Sequence, residues 1–415
     1  MDKISSMLRP RRSHVELASK VDPSAYHLTL AQRMQIVSRR DRMGRIKPGW
    51  MRVLSAVLVL LVLLVVGSSL KTKALNGDIP DAAPRGENDV RLSFVGDVML
   101  GRYVDTFGQK ESYADLFKPV KPLFKSSDFV FANLECTVIS GDPDPTRAAE
   151  DKPVISARKT ALRAAVNAGI NAFAMANNHT VDYGRSALRR TLKIMDDLGV
   201  SYAGAGADWE EAPKYRVLEK DGFKIGFVSF TDKVPSHFAA NKDGYGVATT
   251  GNYRVFQNLT LSAMECDLTV VYVHWGIEDS NKVTDRQREV AHRLVESGAD
   301  IVIGTHPHVL QEVEQYEARN RRGIVFYSLG NFVYDAAQRP SRTSVLVQLD
   351  VNRNTGAGSF TMIPMQLESF HPYVTENSLY CSEVRRNMTS ALPKSAYSVS
   401  GDGRIVLPVQ FDLND

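Results

Sequence analysis

Six apolar segments of the chain each end in residues that could bind a metal ion. In chain order these residues are Asp97; Asn133 and Glu135; Asn177, Asn178 and His179; His274 and Glu278; His306 and His308; and Asn331. Borderline divalent ions such as Zn, Mn or Fe accept this mixture of oxygen and imidazole ligands. One or two such ions can polarise a phosphoryl or acyl oxygen, and a histidine that is not a ligand can protonate the leaving group. The set therefore indicates a divalent-metal site of the hydrolase type.

Each motif taken alone also has a structural explanation. Asp97 could close a turn by bonding the local backbone, and His274 could be a hydrogen-bonded core histidine. The Asn-Asn-His segment 177–179 could satisfy its own loop. His306 and His308 are a sharper signal, because alternate residues of a strand face the same side. Sites in this order, all at strand ends, favour a shared metal site over incidental core packing.

The elements that must position these residues alternate between strands and helices. Predicted strands cover 90–98, 129–135, 171–179, 221–231, 267–276, 300–308 and 323–335, and predicted helices cover 157–169, 183–199 and 284–298. Segments 344–351 and 359–369 predict a closing hairpin, and 404–411 predicts a last strand. This alternation is typical of an α/β fold, in which ligands gather at the carboxyl ends of strands.

An uncharged apolar segment precedes this domain. Residues 53–70 span about 27 Å as a helix, which is close to the hydrocarbon core of a bilayer. Lysine and arginine crowd residues 39–52, whereas only Lys71 and Lys73 follow the segment closely. The positive-inside rule then places residues 1–52 in the cytoplasm and the main domain outside the cell. A buried core helix and a cleaved signal peptide are the alternatives to this single-pass transmembrane helix.

The charge distribution divides the chain in the same way. Residues 1–52 hold 12 Lys or Arg and four acidic residues, whereas residues 91–415 hold 36 basic and 39 acidic residues. The outer domain therefore lacks the basic character that a nucleic-acid partner would require. The three cysteines show no zinc-site or disulfide spacing. The predicted organisation is a basic arm (1–52), a transmembrane helix (53–70), a linker (71–90), the main domain (91–370) and a C-terminal extension (371–415) that could pack on the domain or mediate contacts.

Six segments of the main domain resemble the CapA/PgsA family of capsule and poly-γ-glutamate synthesis proteins. They are GDVMLGR (96–102), FANLE (131–135), ANNHTVDYG (176–184), VVYVHWGIE (270–278), GADIVIGTHPHVLQ (298–311) and FYSLGNFVYD (326–335). The family is similar to calcineurin-like metallophosphoesterases. The resemblance therefore implies a metallophosphoesterase-like sandwich of two mixed β-sheets flanked by helices.

The resemblance also implies a role for each matched residue. It implies that one or two divalent ions are held by Asp97, Glu135, Asn178, His274, His306 and His308, with His179 as the general acid. Arg102, Asn133, Glu278 and Asn331 would contact substrate or support the ligands, and a plain surface charge or a supporting hydrogen bond is the alternative for Arg102 and Glu278.

Two departures from the metallophosphoesterase pattern stand out. Met99 occupies the place of a ligand histidine, and Glu135 replaces the usual bridging aspartate. One ion would therefore lose an imidazole ligand, which bears on whether two ions bind and whether phosphoester bonds are cleaved.

The function implied by the resemblance is capsule or poly-γ-glutamate biosynthesis or export by a membrane-anchored extracellular domain. The hypothesis is a metal-dependent hydrolase with phosphoesterase-like chemistry. The alternative is a non-catalytic, polymer-binding scaffold subunit of a membrane complex. Expected partners are the membrane, poly-γ-glutamate or another surface polymer, and other capsule-synthesis membrane subunits, but no nucleic acid.

Overall fold

The computed structural model describes residues 85–139, 154–318 and 321–413. The predicted transmembrane helix at 53–70, the arm before it and most of the linker lie outside the described residues, so they stay predictions. Within the three described ranges, no helix has the length and apolar character needed to span a bilayer.

Most strands of the described chain are short, and the three longest form the centre of one sheet. In chain order they are β1 (Asp89–Val98), β2 (Phe129–Leu134), β3 (Thr137–Ile139), β4 (Ser156–Arg158), β5 (Ala172–Ala174), β6 (Ser201–Ala203), β7 (Ala205–Gly206), β8 (Arg216–Lys220), β9 (Phe223–Thr231), β10 (Gly246–Val247), β11 (Leu268–His274), β12 (Ile301–Thr305), β13 (Val313–Ala318), β14 (Arg321–Phe326), β15 (Asn331–Val333), β16 (Thr343–Asn352), β17 (Ala357–Glu368), β18 (His371–Val374), β19 (Ser398–Val399) and β20 (Ile405–Gln410).

The helices fall mostly between successive strands, as the sequence predicts. They are α1 (Arg102–Lys110), α2 (Tyr113–Phe117), α3 (Lys121–Lys125), α4 (Lys159–Ala168), α5 (Arg185–Asp197), α6 (Arg254–Glu265), α7 (Asp285–Ser297), α8 (Arg339–Arg342) and α9 (Ser378–Met388), with a 3-10 turn at Ser236–Phe238. Helix α7 begins at the predicted cap, where Thr284 and Gln287 form a reciprocal capping box.

Two large mixed sheets account for most strands of the described residues. The first has ten strands in the order β19-β20-β17-β16-β1-β2-β5-β6, with β15 also pairing with β1 and β18 with β17. The second has six strands in the order β13-β14-β12-β11-β9-β8. In the first sheet β1, β2, β5 and β6 are parallel, and in the second β9, β11, β12 and β14 are parallel. The carboxyl ends of these parallel strands carry the predicted site residues.

The inner faces of the two sheets pack against each other. Phe131 on β2 lies 5.2 Å from Phe227 on β9 between ring centroids, and the Tyr272 hydroxyl of β11 lies 3.0 Å from the carbonyl oxygens of both Val95 and Phe131. Because side chains alternate along a strand, Val271 points away from this core into the layer of α6 and α7. Helices α1 to α5 cover the outer face of the ten-stranded sheet. The described chain is therefore an α/β protein with two sheets packed between helices.

The end of the chain joins the same architecture. The predicted hairpin is confirmed, because β16 pairs antiparallel with β17. The predicted last strand is β20, which adds to the outer edge of β17, and α9 packs against β16 and β17. The described part of the C-terminal extension therefore packs on the domain.

Two predicted strands differ in the structure. Segment 323–335 is divided, because β14 belongs to the six-stranded sheet whereas β15 pairs with β1 of the other sheet. Gly330, with φ +68°, lies in the turn between the two strands. Segment 171–179 has only three strand residues, and its polar end forms a loop. Both differences bring polar groups into the space between the sheet ends.

Candidate metal centre

The parallel register brings the polar strand ends of each sheet side by side. Asp97 on β1 is level with Asn133 on β2 and with Asn331 on β15. In the other sheet, His274 at the end of β11 is level with Thr305 at the end of β12. Since the two sheets pack face to face, these strand ends meet at one end of the described domain.

Five of the predicted ligands form one buried cluster there. Possible ligand atoms of Asp97, Glu135 and His308 all lie within 4.8 Å of one another, and so do those of Glu135, His274 and His306. Glu135 belongs to both groups, as a bridging carboxylate between two ions would. The ten-stranded sheet thus supplies the carboxylates and the six-stranded sheet supplies the imidazoles.

Glu135 is the least satisfied polar group of this cluster. Its side chain is fully buried, and neither carboxylate oxygen has a hydrogen-bond partner among the described residues. Its Oε1 lies 3.7 Å from Nε2 of both His274 and His308. His306 Nδ1 is likewise buried without a hydrogen-bond partner in the described chain. A buried carboxylate is costly unless it is paired or coordinates a metal, so this donor set fits a divalent cation.

Hydrogen bonds from neighbouring strand ends fix the orientation of the carboxylate ligand. Asn133 Nδ2 donates to Asp97 Oδ1 at 2.8 Å, and Asn177 Nδ2 donates to Asn133 Oδ1 at 3.1 Å. The backbone N–H of His306 also donates to Asp97 Oδ2 at 3.3 Å. Such supporting bonds limit the rotation of a ligand before a metal binds. Asn133 therefore positions Asp97 rather than joining the cluster itself.

His274 is held in place by Thr305, a residue that was not predicted from the sequence. Its Nδ1 is 3.0 Å from Thr305 Oγ1, which leaves Nε2 directed at the cluster. The Asn178 side-chain oxygen lies 2.8 Å from that Nε2 atom. The predicted pair of ligands, Asn178 and His274, is therefore brought together.

The two histidines of the His-Pro-His segment follow β12 rather than belonging to it. His306 has φ +94° and His308 has φ +58°, so strand alternation does not place their rings, and that part of the prediction is wrong. Left-handed backbone at residues other than glycine is strained and is concentrated at functional sites. His308 Nδ1 lies 2.9 Å from Asn331 Oδ1 and 3.3 Å from Asp97 Oδ2.

His179 stands at the edge of the cluster with a carboxylate partner. Its Nδ1 is 2.7 Å from Asp182 Oδ2, and the same oxygen accepts a hydrogen bond from the Ile155 backbone at 2.7 Å. Burial lowers the pKa of His179, but the bond to Asp182 and the charge of Glu135 outweigh it and raise the pKa. A histidine held in this way suits proton donation.

The electrostatics of the cluster favour a cation. Burial and the neighbouring Asp97 raise the pKa of Glu135 to about 7. Burial lowers the pKa of His308, but Glu135 and Asp97 outweigh it and raise that pKa to about 10. Burial and the charge of His308 lower the pKa of His306 to about 3, and burial with its histidine neighbours lowers that of His274 well below its ordinary value. The carboxylates that attract a proton to His308 would equally attract a metal ion.

Of the remaining predicted residues, Glu278 and Arg102 lie at the rim, whereas Asn331 is buried beside His308. Glu278 is exposed, yet a carboxylate oxygen of it lies within 4.8 Å of ligand nitrogens of His306 and His308. Asn331 bonds His308, as described above. Arg102 pairs with Asp335 and reaches the cluster only through Tyr334.

Comparison with known proteins identifies the family of this chain. The family described as "Bacterial capsule synthesis protein PGA_cap" matches residues 91–336. This chain belongs to that family. The family membership confirms the resemblance that the ordered motifs indicated.

Named relatives of this family member cover most of its length. The chain is 29% identical to "Capsule biosynthesis protein CapA" of Bacillus anthracis over 85% of both proteins. It is 32% identical to "PGA biosynthesis protein CapA" of Bacillus subtilis (strain 168), over 75% of this chain and 81% of the relative. Among solved structures, a 5'-nucleotidase precursor from Thermus thermophilus aligns with a TM-score of 0.39 and 12% identity over 69% of this chain and 54% of that one, a likeness too distant to carry an inference about activity.

Several residues that shape the site of this family member were not predicted. Asp182, Thr305, Tyr334 and Asp335 each contact a predicted residue through its side chain. All four lie within motifs that carried the resemblance, so their place in those motifs was an available signal. Thr305 is the last residue of β12, so it lies at the carboxyl end of a strand like the predicted site residues.

Proposed function

We propose that this protein acts in the synthesis or export of a capsule or poly-γ-glutamate polymer, through a divalent-metal hydrolase site of the metallophosphoesterase type. The names of its CapA relatives support the biological role. The observation that carries the chemistry is Glu135, a buried carboxylate without a hydrogen-bond partner in the described chain, set among three histidines and Asp97.

The residues of this chain divide the chemical work. Those that would hold one or two ions are Asp97, Glu135, Asn178, His274, His306 and His308. When bound, the metal would supply Lewis-acid polarisation and a water of lowered pKa. His179 would give a proton to the leaving group from Nε2, because Asp182 engages Nδ1. Asn133, Thr305 and Asn331 would hold the ligand side chains in place.

The setting of this chemistry in the cell is part of the same proposal. Residues 53–70 would anchor the protein, with the basic arm in the cytoplasm and the described domain outside the cell. A surface polymer is then within reach of the site, and other membrane subunits of capsule synthesis could meet the anchor. The outer domain holds slightly more acidic than basic residues, so attraction of an acidic polymer would have to be local.

A second candidate is a polymer-binding scaffold without turnover. Met99 favours it, because this residue stands where the metallophosphoesterase motif has a ligand histidine. Its side chain is buried, and its sulfur accepts the Gly101 N–H at 3.2 Å, so it offers no ligand to the cluster. A site with fewer ligands on one ion could retain a metal for structure or for binding alone.

Metal content and turnover of the full-length protein separate the two candidates. We would compare the wild type with His179→Ala, His308→Ala and, as a control, His292→Ala, whose ring bonds Glu314 and stacks on Tyr316. Turnover would be measured with a chromogenic phosphodiester in Mn, Zn and Fe. The hydrolase predicts bound metal, loss of turnover without loss of metal in His179→Ala, and loss of both in His308→Ala. Absence of turnover in the wild type with each metal would favour the scaffold.

A further inference from the structure

An arginine and a tyrosine form a second group at the rim of the candidate metal centre. The Arg102 guanidinium lies over the Tyr334 ring, 5.1 Å from its centroid. His308 is another neighbour of that ring, with 4.8 Å between ring centroids. Tyr334 thus connects the arginine to a predicted ligand. The charges that influence its hydroxyl include those of Glu135 and Asp97, which also places it close to the cluster.

The orientation of Arg102 is fixed from the opposite side. Its Nε and Nη2 both pair with the carboxylate of Asp335, with 3.0 Å between Nε and Oδ2. The side chain of Asp335 is 3% exposed to solvent, whereas that of Arg102 is 32% exposed. One edge of the guanidinium is therefore occupied by a buried carboxylate and one face by an aromatic ring, while about a third of the side chain stays open to solvent. An arginine held in this way loses little conformational entropy when it binds a ligand.

The backbone at Arg102 is strained. Its φ is +52°, a left-handed conformation that costs free energy for a residue with a Cβ. Gly101 before it has no room for a side chain, because a Cβ there would lie 2.5 Å from the Ser156 carbonyl oxygen. The chain thus accepts strain to direct this side chain toward the rim. A plain surface ion pair would not require such a backbone.

Another arginine of the chain has similar partners and serves as a comparison. Arg288 lies within helix α7, pairs with Glu312, and places its guanidinium 5.4 Å from the ring centroid of Tyr327. Its φ is not positive, and it is 39% exposed. Arg288 therefore shares the chemistry of Arg102 without the strained backbone or the ring contact to His308.

We propose that Arg102 and Tyr334 form an anion subsite that binds a carboxylate or phosphate group of the substrate beside the metal centre. This proposal rests on the proposed hydrolase function and adds the substrate class to it. Arginine matches the planar or tetrahedral oxygen pairs of these groups with two parallel hydrogen bonds. Bound metal ions would offset the charges of Asp97 and Glu135, and the guanidinium N–H groups that Asp335 does not engage would add donors for an anion at the rim. A polymer with a carboxylate beside each linkage fits this arrangement, and so does a phosphoester.

The test is anion binding to the full-length protein loaded with Mn. Inorganic phosphate and glutarate, a dicarboxylate, would be titrated separately by calorimetry, and Mn equivalents would be measured in every sample. The variants are Arg102→Gln, Arg102→Lys and Tyr334→Phe, with Arg288→Gln as the matched control. We expect Arg102→Gln to weaken the affinity for at least one of the two anions by about 10-fold at unchanged Mn content, with no change in Arg288→Gln. Arg102→Lys keeps the positive charge but loses the paired N–H donors of the guanidinium, so an intermediate anion affinity is expected.

The outcomes separate this subsite from the metal site. Weakening for phosphate alone would identify a phosphorylated substrate, and weakening for glutarate alone a polycarboxylate. Equal affinities of wild type and Arg102→Gln for both anions, at normal Mn content, would overturn the subsite and leave the metal site standing. If Arg102→Gln fails to fold, the anion affinities of Tyr334→Phe and Arg102→Lys are compared with that of the wild type instead. Equal affinities for both anions at normal Mn content would then overturn the subsite. If the wild type takes up no Mn, the metal site fails, and the subsite still requires weaker anion binding in Arg102→Gln.

Discussion

At the amino ends of four parallel strands, an aspartate or asparagine precedes each strand and bonds its neighbour. The four residues are Asp128 before β2, Asn171 before β5, Asp267 before β11 and Asp300 before β12. In each case the side-chain oxygen accepts a backbone N–H of the adjacent strand at 2.7 to 2.9 Å. The backbone N–H of the same residue donates to the carbonyl of that partner residue. These polar groups are satisfied entirely within the fold.

At the carboxyl ends of the same sheets, the polar groups are only partly satisfied. Asp97 and His274 have hydrogen-bond partners, but both oxygens of Glu135 and one ring nitrogen of His306 have none among the described residues. The backbone at His306 and His308 is also left-handed. The comparison teaches that one end of the strands is built for stability, whereas the other keeps groups available for a ligand at some cost in stability.

Glu135→Gln should give the largest change in Mn affinity at the carboxyl ends of the strands. Glutamine has nearly the same shape but no charge, and Glu135 belongs to both candidate ligand groups. We expect the affinity for Mn to fall by more than about 100-fold, measured by equilibrium dialysis. The free energy of unfolding in EDTA should not fall, because a buried carboxylate without hydrogen bonds is removed. Undiminished Mn affinity would show that the cluster is not a metal centre.

Asp300→Asn tests the amino ends of the strands through the pH dependence of the free energy of unfolding. Burial raises the pKa of Asp300 to about 6, although Thr269 and Arg321 oppose this shift. Because the folded state binds the proton more tightly than the unfolded chain, the contribution of Asp300 to stability is greatest at low pH and declines as pH rises through 6. Asparagine already fills the equivalent place at Asn171 and accepts the same kind of bond.

The expected result is a difference between two pH dependences. From pH 4 to pH 7, the wild type should lose about 2 to 3 kcal/mol more unfolding free energy than Asp300→Asn, as measured by urea unfolding. Mn content should stay unchanged, since Asp300 lies at the opposite end of the strands from the cluster. Parallel pH profiles for the two proteins would mean that Asp300 does not titrate in this range.

Asp128→Ala should show the reverse of Glu135→Gln. Asp128 Oδ2 accepts the Arg91 N–H at 2.9 Å and also pairs with Arg85. Removing it leaves a backbone donor of β1 without its partner, so we expect a loss of about 1 to 2 kcal/mol in the free energy of unfolding. Mn affinity should not change. A variant that keeps its stability but loses Mn would break the distinction between the two ends.

The cluster at the carboxyl ends of the strands could be predicted from the sequence, because its position follows from two simple patterns. Each apolar run ends in a polar residue, and the carboxyl ends of parallel strands meet at one edge. The three predicted helices, which correspond to α4, α5 and α7, the final hairpin and the family followed from comparable local patterns. The amino ends carry the same kind of pattern, because Asp128, Asn171, Asp267 and Asp300 each directly precede an apolar run.

Contacts set by loops and by the return of the chain between sheets could not be predicted. Arg102 and Asp335 are 233 residues apart and meet because the chain leaves the six-stranded sheet after β14 and pairs with β1 through β15. That crossing depends on the close approach of Gly96 and Gly330, where a Cβ on Gly96 would lie 1.8 Å from the Gly330 oxygen. The left-handed turns at His306 and His308 likewise depend on tertiary packing rather than on local propensity.

Glu278→Gln tests the most exposed carboxylate near the candidate metal centre. Glu278 is exposed, but its carboxylate lies near ligand nitrogens of His306 and His308 and could replace the ligand that Met99 does not supply. We expect Mn affinity to fall by about 10-fold, less than in Glu135→Gln because water can take the place of an exposed ligand. The matched control is Glu289→Gln, an exposed carboxylate on α7 that pairs with Arg286. Equal Mn affinity in the two variants would restrict the metal centre to the buried residues, and the missing imidazole would then have no substitute on this rim.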